Sequence, residues 1–276
     1  MGKISEAFEK HRRDSRLKVE PVPIGGVDKI ESPLKATFNP DEIVMAAKYD
    51  PKLVVVSAPD SMDAENFKIL RAQILFPKDR ERPKAIMVTS ALPGEGKSFI
   101  ASNLAASISL GFNEFVLLID CDLRRPSLHK MFGISASYGL HEYLTGKAGF
   151  EDVVVKTGVN KLTLLAGGTP SPNPTELLAS QMMKDFLEEV KNRYEDRYVI
   201  IDSTPVQVTA EANVLARYVD GIVFVIMAER ASKELIERSI EALGKEKILG
   251  IVFNGYDQSY RGYQKYYKKY YKNYQL

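Results

Sequence analysis

AIMVTSALPGEGKSFIASNLAASIS, residues 85–109, decides how the rest of this sequence is read. Ala85–Thr89 is a short apolar run with Ile and Val, as expected of a strand buried on both faces. SALPGEGKS (90–98) follows with two glycines, and FIASNLAASIS then reads as a helix. A strand, a glycine-bearing loop and a helix opening on Lys-Ser make a phosphate-binding loop, whose backbone N–H groups and helix N-terminus face an anion. Gly94 and Gly96 let the backbone approach phosphates without an intervening Cβ. Lys97 reaches the β- and γ-phosphates, and Ser98 ligates Mg²⁺. Pro93, Glu95 and Phe99 complete the expected nucleotide-contacting stretch. Ala91 stands where the usual pattern has its first Gly, which leaves the functional end of the loop intact. A chance Gly-Lys-Ser would explain the tripeptide, but not the strand before it and the helix after it.

Downstream, apolar strands alternate with helices. Strands are predicted at Phe115–Ile119, Leu162–Leu165, Tyr198–Ile201, Ile222–Met227 and Ile248–Phe253, and helices near 98–110, 175–194, 210–218 and 232–243. Short buried strands separated by helices predict a doubly wound, mainly parallel α/β sheet of the P-loop NTPase type, its ligand site beyond the strands' carboxyl ends. Upstream, LVVVS from Leu53 predicts one more short strand, and AENFKILRAQILF (64–76) a helix. Residues 3–17 predict a short charged helix, and the Pro and Gly scattered through 20–51 a linker. The expected organisation is an N-terminal arm and linker (1–50), a phosphate-loop domain (51–255) and a Tyr-rich tail (256–276).

Composition narrows the options. With 276 residues, 45% of them hydrophobic and 27% charged, the chain has enough apolar residues for a large core, which excludes wholesale disorder. A net charge of only +2 argues against a surface devoted to nucleic acid or membrane. The single Cys121 cannot form an internal disulfide or a cysteine zinc site, and reads as a small buried thiol in a reducing compartment. No run approaches the roughly 18 consecutive apolar residues of a membrane span, and the N-terminus lacks a signal-peptide apolar region. The expected location is therefore the cytoplasm, with any inner-membrane association made through a partner.

Three carboxylates follow the phosphate loop. FVLLID ends in DCDLRRP, which places Asp120 and Asp122 two residues apart at the mouth of a strand, able to hold a metal directly or through water and to accept a proton. Strand termination and helix capping would explain one Asp rather than both, and would leave Arg124 and Arg125 unused. RYVIID ends in Asp202, as a second metal-orienting strand of a phosphate-loop nucleotidase does.

These residues resemble the bacterial tyrosine kinase family, the cytoplasmic autokinases of polysaccharide synthesis. PGEGKS is similar to that family's Walker A motif, DCDLRRP to its Walker A′ and VIIDSTP to its Walker B, although Thr204 stands where the family usually has Pro. GLHEYLTG (139–146) and AGGTPSPNPTELLAS (166–180) match its intervening text, and the resemblance covers roughly residues 53–276. It implies an ATP- and Mg²⁺-dependent protein-tyrosine kinase in exopolysaccharide or capsule synthesis, with Asp120 as base and Ser98, Asp122 and Asp202 organising Mg²⁺. Asp120 could instead hold the metal through water. ENFKILR (65–71) resembles the family's oligomerisation helix, which assigns Glu65, Lys68 and Arg71 to a ring-like homo-oligomer. Lys68 replaces the first Arg, keeping the charge without the planar fork. The implied partners are a separate membrane polysaccharide co-polymerase as activator and a phosphotyrosine phosphatase.

YDQSYRGYQKYYKKYYKNYQL (256–276) holds eight of the chain's 14 tyrosines in a cluster that no helix or strand face explains. With a phosphoryl-transfer site in the same chain, Tyr260, Tyr263, Tyr266, Tyr267, Tyr270, Tyr271 and Tyr274 are the expected acceptors. A basic aromatic tail stacking on single-stranded nucleic acid is the competing explanation, but it leaves the phosphate loop idle, and no nucleic-acid partner is expected. The rival function is an ATPase switch of the MinD/ParA type. Its phosphate loop carries a signature Lys where this chain has Leu92, and it needs no tyrosine tail.

Overall fold

The computed structural model describes residues 49–78, 80–192 and 196–255. The helix expected over 3–17, the linker as far as residue 48 and every tyrosine of the tail lie outside them. Seven strands of the described residues form one sheet: β1 (Ala85–Ser90), β2 (Phe115–Asp120), β3 (Val154–Lys156), β4 (Leu162–Leu165), β5 (Arg197–Asp202), β6 (Gly221–Met227) and β7 (Ile248–Asn254). Their order is β3-β4-β2-β5-β1-β6-β7. All pairings are parallel except that of β3 with β4. The fold is thus the mainly parallel, helix-covered sheet expected, with the phosphate-loop strand β1 between β5 and β6.

Strand residues alternate between two cores. Ile86 and Val88 of β1 join Leu118, Ile200 and Val223 on one face. There they meet α1 (Val54–Ser57), α2 (Met62–Leu75) and α3 (Lys97–Ser109), through Phe67, Ile100 and Leu104 among others. Met87 joins Ile119, Val199, Ile201 and Phe224 on the other face. Short helices α4 (Leu128–Met131), α5 (Leu140–Leu144) and α6 (Phe150–Val153) follow β2. α7 (Pro174–Leu178), α8 (Gln181–Asn192), α9 (Glu211–Leu215) and α10 (Lys233–Leu243) complete the set. Phe186, Leu187 and Val190 of α8, with Leu215 and Leu243, close the second core.

Three details depart from the sequence expectation. LVVVS is not a strand but the single helical turn α1, whose Ser57 and Ala58 amides donate back to Leu53 and Val54. The segment crosses α3 rather than reaching a sheet edge: Val55 N donates to Asn103 Oδ1 at 3.1 Å, and Leu53 and Val55 are buried there. The apolar run is real, but what it covers is a helix. The helix expected over 175–194 is two, α7 and α8, with Ser180 Oγ accepting from Met183 N at 3.2 Å to start the second. β3 went unpredicted, since three residues pairing with β4 leave no periodicity to detect. Among the described residues no helix is long and apolar enough to cross a membrane.

Candidate active site

The carboxyl ends of β1, β2 and β5 lie side by side, and the phosphate loop leaves the first of them. Its turn into α3 places Gly94 at φ +75° and Gly96 at φ +95°, left-handed conformations that favour glycine. Both positions are also crowded. A Cβ on Gly94 would come within 2.7 Å of Arg230 Nη1, and one on Gly96 would overlap the side-chain amide of Asn254. The glycines admit protein side chains as well as phosphate, a constraint the sequence pattern does not carry.

Glu95, expected among the nucleotide contacts, turns its carboxylate into the protein. Its Oε2 accepts from Leu92 N at 2.6 Å and its Oε1 from Met227 N at 3.2 Å, and the side chain is fully buried. Asn254 Nδ2 donates to the Glu95 carbonyl and Arg230 Nη1 to that of Pro93, each at 2.9 Å. The loop is therefore braced by β7 and by the β6–α10 turn. Ala91 is buried, and its carbonyl accepts from Gln207 N at 3.3 Å. Phe99 sets its ring edge-on to Phe67, centroids 5.7 Å apart, so its side chain packs at the α2–α3 interface.

Parallel register pairs Asp120 of β2 directly with Asp202 of β5, and both are buried. Asp120 accepts from the amides of Asp122 at 3.2 Å, Ser127 at 2.8 Å and Leu128 at 3.0 Å, which fixes its carboxylate. Burial pushes it up to about 6 despite those donors, and Asp122 pushes in the same direction. Burial pushes Asp202 up to about 8, Asp120 adds to the rise, and the Ser98 hydroxyl and Lys97 ammonium oppose it. Asp202 Oδ1 is buried with no hydrogen-bond partner. Two adjacent buried carboxyls with an orphaned oxygen are an arrangement that a divalent cation relieves.

Half-buried Asp122 accepts from Arg125 N at 3.0 Å, and its charge is close enough to raise both Asp120 and Asp202. Among the described residues no trio of His, Cys, Asp and Glu is arranged to hold a metal alone. Mg²⁺, which keeps waters and takes substrate phosphates, fits Ser98 with one or two carboxylates. Cys121 between the two Asp residues is buried, and burial pushes its thiol well up, as the inert reading requires.

The far wall was not legible. Arg124 Nε and Nη2 donate to Glu211 Oε1 at 3.1 and 2.8 Å, and Thr175 Oγ1 joins at 3.0 Å. This buried carboxylate ties the Asp122 loop to α7 and α9. The stretches 139–146 and 166–180 pack on each other, Leu140 N donating to Ala166 O at 2.7 Å and His141 Nδ1 to Thr169 O at 2.7 Å. On α2, Lys68 pairs with Glu65 at 3.0 Å and Arg71 Nη1 donates to Ser107 O at 2.7 Å, so all three find partners within their own chain.

A family model described as ParA: NUBPL iron-transfer P-loop NTPase matches residues 82–268. Tyrosine-protein kinase YwqD of Bacillus subtilis is 37% identical over 205 residues, 74% of this chain and 85% of that protein. The chain belongs to the bacterial tyrosine kinase family. The kinase domain of Escherichia coli tyrosine kinase ETK superposes on this member with a TM-score of 0.70 at 31% identity, over 76% of this chain and 82% of that one. The chimerical protein CapA2B2 does so with 0.69 at 30%, over 76% and 92%. MinD of Pyrococcus horikoshii, bound to Mg-ADP, reaches 0.54 at 20% identity over 64% of this chain and 72% of that one, a likeness of fold alone. The kinase-family fold implies nucleotide binding. Iron transfer, named in the family model, would have one thiol to use here, the buried Cys121.

Proposed function

We propose that this chain is an ATP- and Mg²⁺-dependent protein-tyrosine kinase that phosphorylates tyrosines of its own C-terminal cluster in exopolysaccharide or capsule synthesis. The observation that carries the reading is the pairing of Asp120 with Asp202 beside Lys97 and Ser98, in a chain 37% identical to a tyrosine-protein kinase. Residues 51–255 form the kinase domain and 256–276 the acceptor tail, preceded by an arm at 1–50. In the reaction the acceptor phenol oxygen bonds to the γ-phosphorus of ATP, the bond to ADP breaks, and the phenolic proton leaves. A phenol of pKa near 10 keeps that proton at neutral pH, so a carboxylate must take it as the bond forms.

Each residue has a part. The amides of Gly94–Phe99 and the Lys97 ammonium hold the β- and γ-phosphates. Ser98, Asp122 and Asp202 would hold Mg²⁺, which when bound neutralises charge on the phosphates. Asp120, rigid on three backbone donors and pushed up to about 6, takes the proton. As a base it works only when ionised, so the rate should fall as pH drops through its pKa. Asp120→Asn should lose most of the rate and this acid limb together. An acid limb that survives there but vanishes in Asp122→Asn would move the base to Asp122.

The MinD/ParA alternative predicts hydrolysis instead. Labelled γ-phosphate from ATP should appear on tyrosine of the purified chain, and label released only as inorganic phosphate would favour the ATPase switch. Two further elements belong to the proposal: a separate membrane co-polymerase activator that brings the cytoplasmic kinase to the inner membrane, supported by the likeness to the CapA2B2 chimera, and ring-like self-association, supported by the ENFKILR helix. A phosphotyrosine phosphatase is the partner that would reset the tail.

A further inference from the structure

Arg230 belongs to no motif and lies 137 residues from Pro93, yet its guanidinium rests on the phosphate loop. Nη1 donates to Pro93 O at 2.9 Å and sits so close over Gly94 that any Cβ there would come within 2.7 Å. The ion pairs among the described residues do not include it. A guanidinium has five N–H donors in a rigid fork, and the bond to Pro93 uses one.

The turn that carries Arg230 is locked to the same loop. Met227 N donates to the Glu95 carboxylate at 3.2 Å, and Ala228 N donates to Asn254 O at 3.0 Å, while the Asn254 side chain reaches back to Glu95 O at 2.9 Å. Glu229, immediately before Arg230, is held at φ +62°, a strained conformation for a residue with a side chain. Strain of that kind persists only where neighbours over-determine it, and here they aim a cation at the loop.

We propose that Arg230 is a further catalytic residue, an arginine supplied in cis that engages the γ-phosphoryl oxygens of bound ATP. The inference rests on the kinase reading above. During transfer, charge spreads over the γ-phosphoryl oxygens as the bond to ADP breaks and the bond to the tyrosine oxygen forms. A fork already fixed beside the loop counters that charge without reorganising, and an arginine in this role contributes about 10³–10⁵ in kcat. Arg230 neither gains nor loses a proton in the step.

The test compares ATP with ADP in the full chain. Arg230→Gln keeps an N–H donor, on a shorter side chain, and removes the charge and the guanidinium fork; Arg230→Ala removes the donor as well. Calorimetry with Mg²⁺ should show ATP affinity falling by about tenfold or more in each variant while ADP affinity stays within about twofold, because only ATP carries the γ-phosphate. Tail phosphorylation should fall by about a thousandfold or more. If ATP and ADP weaken together in Arg230→Gln, or neither weakens, Arg230 shapes the loop only and the inference is overturned. Should Arg230→Ala fail to fold, Arg230→Gln alone decides. A parent chain that binds ATP without phosphorylating its tail would overturn the kinase reading instead.

Discussion

Asp202, a proposed Mg²⁺ ligand, holds its place at the expense of stability. Its carboxyl is pushed up to about 8 in the fold, first by burial and then by Asp120, against an ordinary value of 3.8. The folded chain therefore binds this proton more tightly than the unfolded chain does. The contribution to stability is full at low pH, falls as pH rises from about 4 through about 8, and becomes a standing penalty above that. Asp202→Asn removes the penalty. Without nucleotide or Mg²⁺, its Tm should exceed the parent's by a margin that grows between about pH 4 and 8 and levels off above that, while phosphorylation is lost. A variant less stable than the parent at every pH, by scanning calorimetry, would contradict this account. At this scale the sequence was informative where function is local: Lys97, Ser98, Asp120 and Asp202 stand on named strands and turns at fixed spacing. The brace that the Glu95 carboxylate supplies was not legible, because its partner, Met227 N, lies 132 residues away. Arg230 and Asn254 meet the loop across similar separations, and no spacing rule reports such contacts.

Helix α2 carries the expectation of self-association, and its side chains now divide by role. Lys68 and Glu65 form an i,i+3 pair on the surface, worth about 0.2–0.5 kcal/mol to the helix. Arg71 instead caps the last turn of α3 through Ser107 O, a contact to a charged donor worth about 1.5–3 kcal/mol. Changing all three residues at once would confuse assembly with folding. Glu65→Ala with Lys68→Ala should shift the mass seen by light scattering toward monomer and leave Tm nearly unchanged, whereas Arg71→Ala should lower Tm by several degrees. An unchanged mass in the double variant would remove this face of α2 from any interface. Elements were legible where each has a period and a length of its own, as in all the longer strands. They were lost where tertiary contact decides: LVVVS has a strand's composition, yet it meets Asn103 on α3 and closes into a single helical turn.

For the whole molecule, the claim is that the phosphate loop and the tyrosine tail are two halves of one reaction. The tail's 21 residues carry five basic side chains against Asp257, a net of +4. Extended, they reach roughly 70 Å, enough to enter a neighbouring copy's site. Each phosphate adds roughly −1.5 to −2, so about three modifications neutralise the tail and further ones make it repel the Asp and ATP charges it first approached. Phosphorylation should therefore accumulate over several tyrosines rather than stop at one. Peptide mass spectrometry of the purified full-length chain after incubation with ATP and Mg²⁺, beside the Lys97→Met variant, tests the claim most directly. The account predicts multiple phosphotyrosines within residues 256–276 of the parent and none in Lys97→Met, which lacks the cation for the β- and γ-phosphates. An unmodified parent tail, or undiminished phosphotyrosine in Lys97→Met, would contradict it.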